Sequence, residues 1–169
     1  MLNLRKILGK EEKKTGFTLV SPMEGEVISL SEVADPTFAE EMLGTGVAIL
    51  PERERIVSPI NGTVVQVFDT GHAVTLLSDE GVEVLIHIGL DTVKLQGEPF
   101  TKIAKDGQLV AIGDVLVEFD QNAIIAAGYE TVTPVVICNS GDYWQFERAS
   151  GQLVKEGDKI ISFILKEES

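Results

Sequence analysis

Two segments of this chain each occur twice, and the repetition limits the architecture more tightly than any single motif. Val20-Ser-Pro-Met-Glu-Gly-Glu-Val27 returns as Val57-Ser-Pro-Ile-Asn-Gly-Thr-Val64, and Gly107-Gln-Leu-Val110 with Gly113-Asp114 returns as Gly151-Gln-Leu-Val154 with Gly157-Asp158. Each copy reads as a turn that launches a short strand. Between them lie short apolar or β-branched runs: Gly25 to Leu30, Gly46 to Leu50, Gly62 to Phe68, Ala73 to Leu77, Val82 to Ile88, Val115 to Phe119, Val132 to Ile137 and Lys159 to Leu165. Short runs punctuated by Gly, Pro, Asp and Asn predict an all-β protein, an antiparallel β-sandwich or barrel with short helical turns. The helical turns are expected at Pro36 to Met42 and Gln121 to Ala127.

At 169 residues the chain is the size of one ordinary domain, and folding at that length buries roughly 70% of the unfolded surface. The expected division is a flexible basic leader over residues 1–15 and a β-sandwich domain over 16–169. No run approaches the roughly 20 apolar residues that cross a bilayer as a helix. The leader has no apolar stretch or cleavage site of a signal peptide, so a cytoplasmic location is expected. Its Leu4, Ile7 and Leu8 have helical spacing beside Arg5, Lys6, Lys10 and Lys13, so residues 1–14 are expected to make weak contact with anionic membrane. A net charge of −13 opposes nucleic-acid binding and favours encounter with a basic protein partner. The one cysteine, Cys138, cannot form an internal disulfide and reads as a packed thiol. Tyr143 and Trp144 read as part of a loop covering the sandwich.

The chain's two histidines fall on neighbouring runs. In Val82-Glu-Val-Leu-Ile-His-Ile88, alternation puts Val82, Val84, Ile86 and Ile88 on one face and Glu83, Leu85 and His87 on the other. If Asp79 and Glu80 form a two-residue loop, Ser78 faces Gly81, and His72 stands directly opposite His87. In that register Leu77 with Val82, Thr75 with Val84 and Ala73 with Ile86 fill the core face, and Val74 faces Leu85. A three-residue loop with a bulge at Gly81 gives a different register.

A neutral imidazole can attack a phosphoryl group through one ring nitrogen when the other keeps its proton and donates it. A second imidazole can hydrogen-bond the transferring oxygens, and phosphoryl transfer needs little beyond positioning and charge stabilisation. Thr70 is placed to orient His72, and Asp91 to tune charge.

His87-Ile-Gly-Leu-Asp-Thr-Val93 resembles the phosphorylation signature of the glucose-type enzyme IIA domains of the bacterial sugar phosphotransferase system. Thr70-Gly-His72, Val20-Ser-Pro-Met-Glu-Gly25, Asp35-Pro-Thr-Phe38, Gly44-Thr-Gly-Val-Ala48 and Thr133-Pro-Val-Val136 extend the resemblance from about Gly16 to Leu165. It implies a relay in which HPr phosphorylates His87, with His72 as stabiliser, and a IIB domain of a membrane sugar permease takes the group on a cysteine. No cofactor is required; the intermediate is a covalent phosphohistidine. The resemblance also implies an apolar partner-binding rim of Phe38, Phe68, Leu85 and Val93, with Asp35 and Asp91 at its edge. Gly71, Leu85 and Ile88 depart from larger or aromatic residues common in relatives, which bears on partner preference.

Two other readings compete. A biotinyl or lipoyl carrier would explain Val154-Lys-Glu-Gly-Asp158, but Lys159 enters a strand where a hairpin-tip lysine is needed. A zinc hydrolase could draw ligands from His72, His87 and Asp91 or Asp35, yet no HExxH or His-x-His spacing is present. No intrinsic metal is expected, and zinc at His72 and His87 would be adventitious.

Overall fold

The computed structural model describes residues 16–166, so the leader expected over 1–15 lies outside the described residues. The strands are β1 (Gly16–Val20), β2 (Gly25–Ser29), β3 (Thr45–Pro51), β4 (Arg55–Val57), β5 (Gly62–Val67), β6 (Ala73–Ser78), β7 (Glu83–His87), β8 (Phe100–Lys102), β9 (Leu109–Val110), β10 (Val115–Phe119), β11 (Thr133–Ile137), β12 (Tyr143–Arg148), β13 (Leu153–Val154) and β14 (Lys159–Leu165). Two short helices interrupt them, α1 (Pro36–Ala39) and α2 (Gln121–Ala126).

All pairings are antiparallel. An eight-stranded sheet runs β13-β2-β3-β11-β7-β6-β5-β9, and two three-stranded sheets run β1-β14-β12 and β4-β10-β8. One face of the large sheet contributes Val27, Val47, Ile49, Val64, Val74, Leu76, Val84, Ile86 and Val135 to a core shared with Leu19, Ile56, Leu116 and Phe163 of the small sheets. Its opposite face carries a smaller cluster in which Ala48, Ala73, Leu85 and Val136 are covered by Leu30, Val33, Phe38, Leu90 and Val132. In the small sheet Gly16 pairs with Ile164, so both ends of the described chain leave from one strand pair.

The repeated segments interlock. Ser21 and Ser58 are fully buried, and each donates its hydroxyl to the carbonyl two residues on, Met23 at 2.6 Å and Ile60 at 2.7 Å. The Ser21 N–H donates to the Asp158 carbonyl at 2.7 Å and the Ser58 N–H to that of Asp114 at 2.8 Å, with return bonds from Gly157 and Gly113. Each copy of the first segment is thus tied to a copy of the second, and β13 on β2 mirrors β9 on β5.

The hairpin register differs from the two-residue-loop expectation. Ala73 faces His87, Val74 faces Ile86 and Leu77 faces Glu83, while the Ser78 N–H donates to the Val82 carbonyl. The loop is therefore Asp79-Glu80-Gly81, with Gly81 at φ 95°, the left-handed geometry of a glycine bulge. Contacts from distant sequence hold it: Asn139 Nδ2 donates to the Gly81 carbonyl at 2.9 Å, and the Glu83 N–H donates to Asn139 Oδ1 at 3.0 Å. The β7 core face is as expected, but on β6 the core takes Val74 and Leu76, whereas Thr75 is half-buried and Leu77 exposed.

Two further expectations are corrected. Tyr143 and Trp144 belong to edge strand β12, disguised in sequence by a break at Gln145 (φ 58°). Cys138 is exposed just past the end of β11, not packed.

Candidate active site

His87 ends β7 and is half-buried on the outer face of the large sheet. His72 sits in the bend just before β6 and is only 6% exposed. Strand alternation would send the two rings to opposite faces in the observed register. They meet because His72 precedes the first paired residue of β6, where alternation no longer sets direction, while its carbonyl still accepts from the Ile88 N–H at 2.7 Å. The ring centroids are 5.0 Å apart, edge to face.

Each ring is oriented through Nδ1. His87 Nδ1 lies 2.7 Å from the Gly89 carbonyl, an oxygen that can only accept, so Nδ1 carries the proton and Nε2 has the lone pair. His72 Nδ1 is hydrogen-bonded to the Thr70 hydroxyl, as expected from sequence. When that hydroxyl donates, His72 Nε2 carries a proton and becomes a donor.

The four expected rim residues divide. Phe38, 4% exposed, and Leu85, 8% exposed, form the floor of the site, Phe68 is half-buried, and Val93 is 48% exposed. Asp35 fixes Phe38 locally: its Oδ1 accepts from the Thr37 N–H at 2.9 Å to cap α1, and Pro36 opens the helix. The Phe38 ring then lies 5.2 Å from His87, and Phe68 lies 5.4 Å from His72.

Asp35 and Asp91 stand together on an open cavity of about 430 Å³ also lined by Ala34, Pro36, Leu90 and the segment Gly128-Tyr129-Glu130. That last segment carries no sequence signal of its own. Only the fold brings it beside the signature, through the Leu90 N–H donating to the Glu130 carbonyl at 3.2 Å. Among the described residues no group of three or more His, Cys, Asp or Glu is arranged to hold a metal, which leaves the zinc-hydrolase reading without a third protein ligand.

Residues 17–143 match the family described as phosphoenolpyruvate-dependent sugar phosphotransferase system, EIIA 1. The chain belongs to this EIIA family. It is 42% identical over 159 residues to the glucose-specific EIIA component of Oceanobacillus iheyensis, covering 94% of this chain and 95% of that one. It is 51% identical over 137 residues to the beta-glucoside-specific EIIBCA component of Dickeya chrysanthemi, covering 80% of this chain and 22% of that protein. The chain thus spans about a fifth of such multidomain relatives. Glucose permease IIA from Mycoplasma capricolum shares the fold with a TM-score of 0.82 at 35% identity, over 88% of this chain and 96% of that one. This EIIA chain is a phosphotransferase component built as an antiparallel β-sandwich.

Burial acts on both histidines of the EIIA site. It pushes His72 down to about 4, helped by His87 beside it. It also lowers His87, opposed by the Gly89 carbonyl and the Asp35 and Asp91 carboxylates. Both rings are therefore neutral at neutral pH. The depressed His72 value has a sign for stability: between pH 6.5 and about 4 the unfolded chain binds a proton that the folded chain refuses. Stability is full above that window and falls as pH drops through it, by up to about 3 kcal/mol. Denaturant titrations at pH 7 and pH 4.5 should show the loss, and His72→Gln should make it smaller. An unchanged slope in the variant would assign the loss to other groups.

Proposed function

We propose that His87 is the phosphoryl acceptor, charged on Nε2 by HPr and discharged onto a cysteine of the IIB domain of a membrane sugar permease. The observation that carries this reading is the His87 Nδ1 bond to the Gly89 carbonyl, which leaves Nε2 unprotonated before any partner arrives. On acceptance an Nε2–P bond forms as the donor's N–P bond breaks, and the donor nitrogen keeps the bonding pair. The proton on His87 Nδ1 stays in place against the Gly89 carbonyl, so the phosphorylated ring carries a positive charge beside the phosphoryl dianion. On discharge the cysteine thiolate forms S–P and the pair returns to Nε2. His72 Nε2–H faces the transferring oxygens as a fixed donor. The Asp35 and Asp91 carboxylates keep His87 basic enough to attack, and their charge favours departure of an anionic group.

The relay is read as cytoplasmic, and a net charge of −13 suits rapid, salt-sensitive encounter with a basic donor. Among the described residues no helix is long and apolar enough to cross a membrane. No cofactor enters the relay, and the sugar is chosen by the permease. Incubation with phosphoenolpyruvate, enzyme I and HPr should give acid-labile phosphate on this chain; absence of label at saturating HPr would refute the proposal.

Both partners must reach Nε2 over one rim, so their docking is mutually exclusive. Val93 is the exposed apolar member of that rim. Val93→Asp should leave melting unchanged and weaken both half-reactions by roughly tenfold in KM, equivalent to about 1.4 kcal/mol. A variant affected in one half-reaction alone would indicate two separate surfaces. Phe38→Asp is unsuitable for this test, because it would place a carboxylate in the buried floor.

A further inference from the structure

The signature residue Thr92 is fully buried and is given no part in the relay above. Its hydroxyl donates back to the Ile88 carbonyl. This is an unusual stretch of backbone: Gly89 has φ 79°, and Asp91 (φ 59°) and Gln96 (φ 58°) are left-handed without being glycine. Such conformations persist only where surrounding contacts determine them. Asp91 has no side-chain cap bond to the helical turn it precedes.

The contacts are specific to the two peptide planes on either side of Gly89. In the preceding plane, the Ile88 carbonyl receives the Thr92 hydroxyl. In the following plane, the Leu90 N–H donates to Glu130 while the Gly89 carbonyl receives His87 Nδ1. Gly89 itself is clasped: a Cβ placed on it would lie 2.6 Å from Thr92 Cγ2 and 2.6 Å from the Glu130 carbonyl oxygen. A glycine joining two planes rotates readily unless both are held, and Thr92 holds the first.

Resting on the acceptor role proposed for His87, we infer that the Thr92 hydroxyl is a positioning group that keeps the Gly89 carbonyl aimed at His87 Nδ1, and so keeps Nε2 unprotonated. Without it the Ile88 carbonyl loses a donor, the two planes uncouple and the ring proton redistributes between the nitrogens. In metal sites, loss of a hydrogen-bond partner that orients a ligating histidine costs roughly ten- to a hundredfold in function, and the lower end of that range is expected for a partner that acts one step further away.

The test compares Thr92→Val, which keeps the shape and removes the hydroxyl, with Thr92→Ser, which keeps the hydroxyl. Nitrogen-15 spectra of the uncharged protein should show His87 protonated on Nδ1 in wild type and Thr92→Ser, and a mixture of tautomers in Thr92→Val. The rate of phosphoryl acceptance should fall roughly tenfold in Thr92→Val, with KM for HPr unchanged and recovery in Thr92→Ser. An unchanged tautomer in Thr92→Val, or a Thr92→Ser variant that behaves like Thr92→Val, overturns the inference. Should Thr92→Val fail to fold, wild type decides: slow exchange of the Thr92 hydroxyl proton supports the bond, and fast exchange overturns it. The tautomer is read without any partner. A shifted tautomer in a protein that never takes label would sink the relay and leave the positioning role standing.

Discussion

His87→Gln takes up no acid-labile phosphate from phospho-HPr, a loss of at least about 10³-fold, on the scale of deleting a nucleophile. The fold should survive, because a glutamine amide can donate to the Gly89 carbonyl in place of Nδ1 and can lie against Phe38. His72 does not substitute as nucleophile. Its Nδ1 is occupied by Thr70, and when the Thr70 hydroxyl donates, the nitrogen it presents to the site carries the proton. Autoradiography after incubation with phosphoenolpyruvate, enzyme I and HPr, with circular dichroism as the folding control, is the measurement. Full labelling of the variant would remove His87 from the mechanism.

His72→Gln should divide the relay into its two halves. Acceptance uses a neutral nucleophile, so the loss of one donor costs little. Discharge brings an anionic thiolate against an anionic phosphoryl group, and there a fixed donor on the transferring oxygens matters most. Removing one such donor costs about 10² to 10³ in rate. The glutamine amide is no equivalent, since its flexible chain has no ring to rest against Phe68 and no fixed direction. The variant should therefore accumulate as the phosphorylated form when HPr and a IIB domain are both supplied. Rapid-quench measurement of each half-reaction would show it; equal losses in both would end the division of labour between the histidines.

Much of the fold was legible because β-strand information is local. The eight strand-like runs all appear as strands, and the two expected helical turns are α1 and α2. The repeated segments were legible too, since a buried serine closing its own turn leaves the same residues in both copies. The hairpin register was not. Ser78-Asp-Glu-Gly81 suits a two- or a three-residue loop, and the choice is held by Asn139, far away in sequence. The meeting of the histidines was expected on the assumption of direct opposition, whereas the bend before β6 brings them together. The floor of the site was misjudged for a related reason. Leu85 lies on a face that alternation marks as outward, but Phe38 of α1 and the loops carrying Leu30, Val33 and Leu90 cover it. Short sequence patterns show which face of a strand is apolar, and they do not show what crosses over it.

The pairing of Gly16 with Ile164 has a consequence for any polypeptide that carries this fold as one of its parts. Neighbouring residues on antiparallel strands are about 5 Å apart, so a tether attached at either end, or at both, grips the body at a single point. That point lies on a three-stranded sheet, while His87 ends a strand of the eight-stranded one. On the relay proposed for His87, a linker would let the body swivel and present its histidines first to a diffusing carrier and then to a domain on the same chain, without pulling on a strand of the eight-stranded sheet. Linkage would raise the local concentration of the second reactant while leaving the chemistry at Nε2 unchanged, which makes the separate and the fused arrangements mechanically interchangeable.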